Sequence, residues 1–258
     1  LRPSHVVVLS KAVQNFCCCI YCENFQLALD ALNPHQTSET GNLKINDILE
    51  MFMCDRFSYE CASGSCENCA NFEGSLKFHL RTESFSNPVK IMRWEKVGSF
   101  TKRVLKANTT VDDAIKLIED SFGFLKMHKY VMNTQYEYLN QSKRNLAPNE
   151  ALIIMDFSQN YTCASQNEVQ SAYFAQHQIS VFTAYAYVGD EHPEPFLILN
   201  DDIGHSKYQV FHYQKIIIGH LKSKFPDLEH VRILSDGCTG QFKNKFTLSN
   251  LMHASEDF

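Results

Sequence analysis

The sequence predicts an α/β protein, in which a mixed sheet follows a cysteine-rich α+β region. The continuous apolar run 151–155 leads directly to Asp156, and the apolar residues Val231, Ile233 and Leu234 precede Asp236 in the same manner. Short continuous apolar runs of this kind are typical of strands that are buried on both faces. Eight of the ten cysteines lie ahead of both runs, within residues 17–69. The chain therefore divides into a cysteine-rich first part and a sheet-forming second part.

Length, composition and charge limit the number of domains and the class of protein. The 258 residues suffice for one large or two modest domains, and 44% hydrophobic with 21% charged residues is a globular composition. Residues 1–150 carry 17 basic and 17 acidic side chains, whereas residues 151–258 carry 7 and 12. The net charge of −5 thus arises in the second part, which does not suggest a general polyanion binder but suits a site that attracts cations.

The cysteines and the chain ends bear on compartment. No apolar run approaches the ~18 residues of a membrane span, and no signal peptide opens the chain. The absence of an initiating Met leads us to expect a piece of a longer protein. The close cysteine spacing favours reduced thiols in a nuclear or cytoplasmic protein. Sequons headed by Asn108, Asn140 and Asn160 leave open a secreted, disulfide-linked protein.

The first part is predicted to be mixed α and β. We expect a strand at Val6–Leu9, a helix from Glu23 to Leu32 that Asn33-Pro34 ends, and a helix at 45–53. A capping-box variant at Thr110–Asp113 begins a helical run to residue 125, and a second run covers 126–139. Residues 145–149 indicate a linker, so the predicted domains are 1–147 and 148–258.

The second part follows a recognisable order. Strands are predicted at 151–157, 178–188, 196–200 and 230–235, with helices at 206–225, which Ser206 caps, and at 240–254. A strand, a hairpin, a third strand, a helix and a returning parallel strand form a mixed sheet with a right-handed crossover. This is the core order of ribonuclease H-like folds, here incomplete.

Asp156 and Asp236 are the predicted catalytic pair. Each lies where a buried strand ends, and on neighbouring strands their carboxylates would lie close enough to share a divalent cation such as Mg²⁺ or Mn²⁺. Gln241, Lys243 and Asn244 follow the second aspartate and are predicted to contact substrate phosphate or to brace the site. The alternative is that each aspartate only caps the turn after its strand.

A resemblance strengthens the first interpretation. The segments MDFSQNYTC, QNEVQSAYF, QISVFTAYAYV and SDGCTGQFKNK resemble a family of transposon-derived proteins of animal genomes with a DDE-type, ribonuclease H-like transposase domain. RPSHVVV and the CxCxxC stretch resemble the same family, although Cys22 stands where a histidine is expected. The resemblance implies that Asp156 and Asp236 are the first two acids of a site for Mg²⁺-dependent hydrolysis or strand transfer of DNA.

The third acid of such a site is not evident in the sequence. Glu256 and Asp257 lie near the end of the chain, close to His253, and Glu168 is an inner alternative. The residues after Asp236 are predicted to be helical, so we expect the third ligand beyond Phe258.

Two groups of cysteines are predicted to bind zinc. Cys54, Cys61, Cys66 and Cys69 include a CxxC pair, which suits one tetrahedral Zn²⁺, with buried thiols or disulfides as the alternatives. Cys17, Cys19 and Cys22 form a second candidate group, to be completed by His5 or by a cysteine of the first group, while Cys18 points into the core. Cys163 and Cys238 are predicted to be small core residues.

Residues 77–106 form the basic stretch of the chain, with eight Lys/Arg against two acids and aromatic residues interleaved. Such a pattern suits DNA binding by backbone contact and stacking, and also a pair of amphipathic strands with solvated lysines. We expect DNA as the partner and no membrane, and a homo-oligomer remains open. The functions that the sequence favours are a transposase-derived nuclease and a non-catalytic DNA- or protein-binding module.

Overall fold

The computed structural model describes residues 17, 19–35, 42–69, 76–77, 84–164, 166–167, 169–174 and 176–254. The predicted strand at Val6–Leu9 and the predicted core residue Cys18 lie outside these residues, as do the candidate ligands His5, Glu168, Glu256 and Asp257.

The chain forms two compact units, Leu1–Tyr138 and Leu139–Phe258. The division falls inside a helix of 34 residues, Val111–Arg144 (α4), and precedes the predicted linker at 145–149. The sequence suggested two helical runs here, but the helix is continuous. Its interior contains no proline, and the single Gly123 costs only about 1 kcal/mol relative to alanine.

Among the described residues of the first unit, the elements ahead of α4 include three helices and a hairpin. They are α1 (Ile20–Leu32), a 3₁₀ turn (Asn33–His35), α2 (Ile45–Phe52), α3 (Tyr59–Ser63), β1 (Pro88–Val97) and β2 (Phe100–Thr110). Both α1 and α2 confirm the predicted helices. The predicted cap of α4 is also present, because Thr110 Oγ1 accepts from Asp113 N–H (3.2 Å) and Asp113 Oδ2 accepts from Thr110 N–H (2.8 Å).

One hydrophobic core holds these elements together. It joins Phe25 and Leu29 of α1, Phe52 of α2, Ile91 of β1 and Ile118 of α4, all nearly inaccessible to solvent. Burial of side chains of this size contributes roughly 1.5–3 kcal/mol each. The core therefore fixes α1, α2 and α4 relative to one another, and six of the cysteines of residues 17–69 lie within it or at its border.

The second unit is built on a five-stranded mixed sheet. Its elements are β3 (Glu150–Phe157), β4 (Tyr161–Thr162), α5 (Gln170–Phe174), β5 (Gln178–Val188), β6 (Glu194–Asn200), α6 (Lys207–Lys224), β7 (His230–Leu234) and α7 (Lys245–Met252). The order is β4-β5-β3-β7, and β6 also pairs with β5. β5 runs antiparallel to β3 and β6, whereas β7 returns parallel to β3 after α6. The predicted order of strand, hairpin, third strand, helix and parallel strand is confirmed.

The sheet and α6 share a core of their own. Ile153 and Met155 of β3 and Phe182 of β5 pack with Ile217 and Leu221 of α6. Ser206 caps α6 as predicted and forms a capping box with Gln209. The core fixes β3 at the centre of the sheet, with β7 beside it.

The last helix begins later than the sequence suggested. A helix was predicted from residue 240, but α7 starts at Lys245. The backbone N–H groups of residues 241–243 all donate to Cys238 O and close a turn, and Asn244 is the N-cap, accepting from Phe246 N–H and Thr247 N–H (3.1 Å each). Cys238 is exposed rather than part of the core, and Cys163 is half-buried.

In the part of the chain that the structure describes, no helix combines the length and the apolar character needed to cross a membrane.

Candidate metal centres

The four-cysteine cluster comprises Cys54, Cys61, Cys66 and Cys69. Cys54 follows α2, Cys61 lies on α3, and the other two lie in the turn after α3. Their sulfur atoms lie within 4.8 Å of one another, so the predicted convergence is present. The distances from Cys54 Sγ are 3.3, 3.5 and 3.8 Å, close to the edge of about 3.8 Å that Zn–S bonds of about 2.3 Å define in a tetrahedron.

The local sequence folds the chain around this point. Ser58 caps α3 through its Oγ, which accepts from Cys61 N–H. Gly64 ends the helix in the left-handed region (φ 82°), a conformation that costs glycine nothing. The N–H groups of Ser65 and Cys66 both donate to Glu60 O, which turns the chain back toward Cys54. The turn thereby brings the CxxC pair to the helix.

The close approach of the four sulfur atoms gives the thiols different pKa values. Hydrogen bonds among the thiols, first that with Cys61, raise the pKa of Cys54 to about 12. Burial would raise the pKa of Cys61, but bonds with Cys54 and Ser58 and from the Asp55 backbone N–H outweigh it and lower the pKa to about 7. One thiolate is thus favoured before metal enters. A cysteine-rich cluster of this geometry is compatible with Zn²⁺, whose binding releases the remaining protons.

The cysteine–histidine cluster comprises Cys17, Cys19, Cys22 and His128, whose ligand atoms also lie within 4.8 Å of one another. His128 Nε2 lies 3.3 Å from Cys17 Sγ and 3.4 Å from Cys19 Sγ. The fourth member is a histidine of α4, not a cysteine of the four-cysteine cluster as one alternative had it. His5, the other alternative, lies outside the described residues.

Sequence reasoning missed His128 because 111 positions separate it from Cys17. One local signal was available. Ile118, Phe122, Leu125 and Lys129 follow each other at helical spacing, and all four are buried. A lysine on the apolar stripe of a helix indicates a polar group in the core beside it, and His128 is its neighbour.

The aspartate pair lies in the second unit, at the strand ends that the sequence predicted. β3 and β7 are paired in parallel register up to Ile154 and Leu234, so Asp156 and Asp236 both lie two residues beyond the last pair. Asp156 lies within β3 and Asp236 follows the end of β7, so the register places the two residues at the same level along neighbouring strands. Asp236 Oδ1 also accepts from Cys238 N–H (2.9 Å), which is the turn-capping role that the alternative proposed.

The two carboxyl groups influence each other. Burial, and next the charge of Asp236, raise the pKa of Asp156, while the Phe157 backbone N–H and His205 act in the opposite direction. The ring of His205 stacks on Phe157 at 4.2 Å, and its Nε2 lies 2.8 Å from Asn160 Oδ1. His205 and Asn160 are therefore part of the surroundings of the pair, and the sequence had assigned neither of them a role.

No set of three described His, Cys, Asp or Glu side chains that includes Asp156 has its ligand atoms within 4.8 Å of one another. The predicted residues that follow Asp236 have other partners. Asn244 Nδ2 donates to Thr239 O (3.2 Å), which braces the turn after Asp236, and Lys243 is exposed. Gln241 O accepts from Thr247 Oγ1 (3.4 Å).

Two family models match the chain, and each covers less than half of it. Residues 20–123 are similar to a domain of unknown function (DUF8700), and residues 135–258 to another domain of unknown function (DUF8701). The first range lies within the unit that holds both cysteine clusters, and the second contains the aspartate pair. No curated protein and no solved structure matches the chain.

Proposed function

We propose that residues 148–258 form an incomplete ribonuclease H-like domain of the DDE transposase type. In this proposal Asp156 and Asp236 hold Mg²⁺ or Mn²⁺ against a DNA phosphodiester. The sheet order β6-β5-β3-β7, with β7 parallel to β3 after a helix, supports the fold assignment. The domain would derive from a transposase that hydrolyses or transfers DNA strands.

A single observation carries the proposal: the parallel register that gives the two aspartates matched positions at the ends of β3 and β7. Two carboxylates that repel each other are stabilised when a cation lies between them. The raised pKa of Asp156 is the metal-free consequence of this repulsion together with burial. A cation at this point would hold the phosphate and polarise the attacked bond.

Binding of Mn²⁺ tests the site. We expect zinc-loaded protein to bind Mn²⁺, measured by the loss of free-ion EPR signal, and D156N and D236N each to weaken binding at least tenfold. Asp190 provides the matched control, because it is exposed and follows the end of β5 that is remote from Asp156. Equal Mn²⁺ affinity in D156N, D236N, D190N and the wild type would rule the site out.

A nicking assay on supercoiled plasmid then tests the chemistry. No described group of three converging ligand side chains includes Asp156 or Asp236, and a misplacement of ~1 Å costs about a hundredfold in rate. We therefore expect this chain to bind Mn²⁺ with little or no nicking. Nicking that both D156N and D236N abolish would show that the chain itself supplies the third ligand.

The hairpin of β1 and β2 favours a second candidate function, DNA binding without catalysis. Trp94, Lys96 and Arg103 share the face opposite to that of the buried Ile91, and the Arg103 guanidinium lies 5.5 Å from the centre of the Trp94 ring. On such a face, lysine and arginine side chains can contact phosphates, and the aromatic ring can stack on unstacked bases. In this case the four-cysteine cluster would bind a structural Zn²⁺ that supports the DNA-binding unit.

The described cysteines speak against the third possibility, a secreted disulfide-linked protein. All nine of them are free thiols. The side chain of Asn160, which heads one of the sequons, is engaged within the unit, since its Nδ2 donates to Ile203 O and its Oδ1 lies beside His205. We therefore favour an intracellular, reduced protein.

A further inference from the structure

We propose that Cys17, Cys19, Cys22 and His128 form a second zinc site, which fastens the start of α1 to the middle of α4. The site is distinct from the four-cysteine cluster and does not depend on the function proposed for the second unit. Its ligand set, three thiolates and one imidazole, is one of the standard structural sets for Zn²⁺.

The distances match this ligand set. Zn–S bonds of about 2.3 Å and a Zn–N bond of about 2.0–2.1 Å give a tetrahedral S···N edge of about 3.6 Å. His128 Nε2 lies 3.3 and 3.4 Å from the sulfurs of Cys17 and Cys19, and all four ligand atoms are mutually within 4.8 Å. The atoms already surround one point, so a cation can enter with small adjustments.

The spacing C-x-C-x-x-C places the thiols at the start of a helix. Cys19 is the N-cap of α1, and its sulfur accepts from Cys22 N–H at 3.4 Å. Helix N-termini favour negative charge, and N–H···S bonds stabilise thiolates. The start of α1 therefore places the sulfur of Cys19 where a thiolate, the form that binds zinc, is stabilised.

The surroundings provide orientation and charge balance. The His128 ring stacks on Phe124, with ring centres 6.1 Å apart and an interplanar angle of 10°. Three thiolates with Zn²⁺ and a neutral imidazole carry a net charge of −1. Lys129 is 7% exposed, and its positive charge acts on Cys22. A zinc–thiolate centre of net charge −1 that includes Cys22 would interact favourably with this buried ammonium group.

The same stretch of α4 also supports the four-cysteine cluster. Lys126 Nζ donates to Cys61 O (3.2 Å), and the ring of Tyr130 contacts that of Tyr59 edge to face at 5.9 Å. Residues 126–130 thus contact α3 through Lys126 and Tyr130 and the start of α1 through His128. The two clusters together would fix α4 to both short N-terminal elements.

Zinc content of the purified whole chain tests the proposal. We expect two Zn²⁺ per chain by elemental analysis, one in H128A, and two in H128C, because a thiolate replaces the imidazole. His35→Ala is the matched control, a histidine of the same unit outside both clusters, and should retain two. Zinc content that is the same in H128A as in the wild type would overturn the proposal. One ion in the wild type and none in H128A would support the proposed site and would show that the four-cysteine cluster does not bind zinc.

Cobalt spectra keep the test valid if H128A fails to fold. Co²⁺-loaded H128C should show ligand-field bands at longer wavelength than the wild type, because thiolate is a weaker-field ligand than imidazole, and stronger sulfur-to-cobalt charge transfer. The four-cysteine cluster is identical in both proteins and cancels in the difference spectrum. Superimposable spectra of the wild type and H128C would show that His128 is not a ligand.

Discussion

At the residue scale, the surroundings of Asp156 disfavour the charged form of its carboxyl group. Its partial burial and its neighbour Asp236 disfavour the carboxylate form and raise its pKa in the folded state. In the unfolded chain both effects vanish. The folded protein therefore binds the Asp156 proton more tightly than the unfolded chain does, and the stability that this proton contributes is lost as pH rises through the folded-state pKa.

We expect D156N to unfold at a higher temperature than the wild type near pH 7, because the amide carries no charge. The difference should shrink as pH falls through the raised pKa of Asp156 and be smallest below about 4, the ordinary pKa of aspartate, because the wild-type carboxyl becomes protonated. Thermal unfolding across this range measures the effect. A D156N protein less stable than the wild type at pH 7 would contradict the electrostatic argument.

Single residues also mark the limit of sequence reasoning. Asp156 and Asp236 were predicted because each follows its own apolar strand, a signal that is local in sequence. His128 and His205 were missed because only the packing of α4 and of the segment before α6 brings them to their partners. The pattern of neighbours along the chain marks at most a polar position on the apolar stripe of α4, at Lys129, and does not identify the partners of either histidine.

At the scale of elements, the sequence predicted the bounds of a helix or strand well where its apolar periodicity is strong, and poorly where that periodicity is weak. β5 was predicted with its actual bounds and α6 within one residue at each end, since both combine apolar spacing with turn or capping signals. The start of α7 was placed too early, because the side-chain cap at Asn244 and the turn that closes on Cys238 O leave no mark in hydrophobic pattern. Capping competes with helix extension at such positions.

The hairpin of β1 and β2 gives a prediction at the same scale. If its outer face binds DNA, K96E and R103E should each weaken binding to duplex or single-stranded DNA. Each should also lower the slope of log affinity against log salt by about one for every phosphate that the protein no longer neutralises. Fluorescence anisotropy at several salt concentrations measures both quantities.

Lys116 supplies the control for charge alone, because it is exposed on α4 of the same unit. K116E changes the net charge by the same amount as K96E and should leave the salt slope nearly unchanged. Equally weakened binding in K96E, R103E and K116E would point to a general charge effect and would remove the hairpin as a binding surface.

At the scale of the whole molecule, the chain has two hydrophobic cores, and only the core of the first unit borders the cysteine clusters. The core of the first unit packs against both cysteine clusters, with Cys17, Cys19, Cys66 and Cys69 at its border. The core of the second unit is formed by the sheet and α6 and includes no cysteine of either cluster. The two matched families divide the chain in the same manner. Loss of zinc should therefore affect one unit and not the other.

Removal of zinc tests this division. Structural zinc contributes about 10–16 kcal/mol in small peptides, comparable to the about 5–15 kcal/mol that stabilises a whole domain. We expect a thiophilic zinc chelator, added in the presence of excess Mg²⁺, to abolish hydrogen-exchange protection of amides in α1 and the first half of α4. Amides of β3, β5 and β7 should keep theirs, because their hydrogen bonds and core do not involve zinc.

Re-addition of Zn²⁺ should restore protection in α1 and α4, which separates metal loss from irreversible damage. Unchanged exchange in the first unit would mean that its hydrophobic core suffices without metal, whereas equal loss of protection in both units would mean that the chain unfolds as one cooperative body.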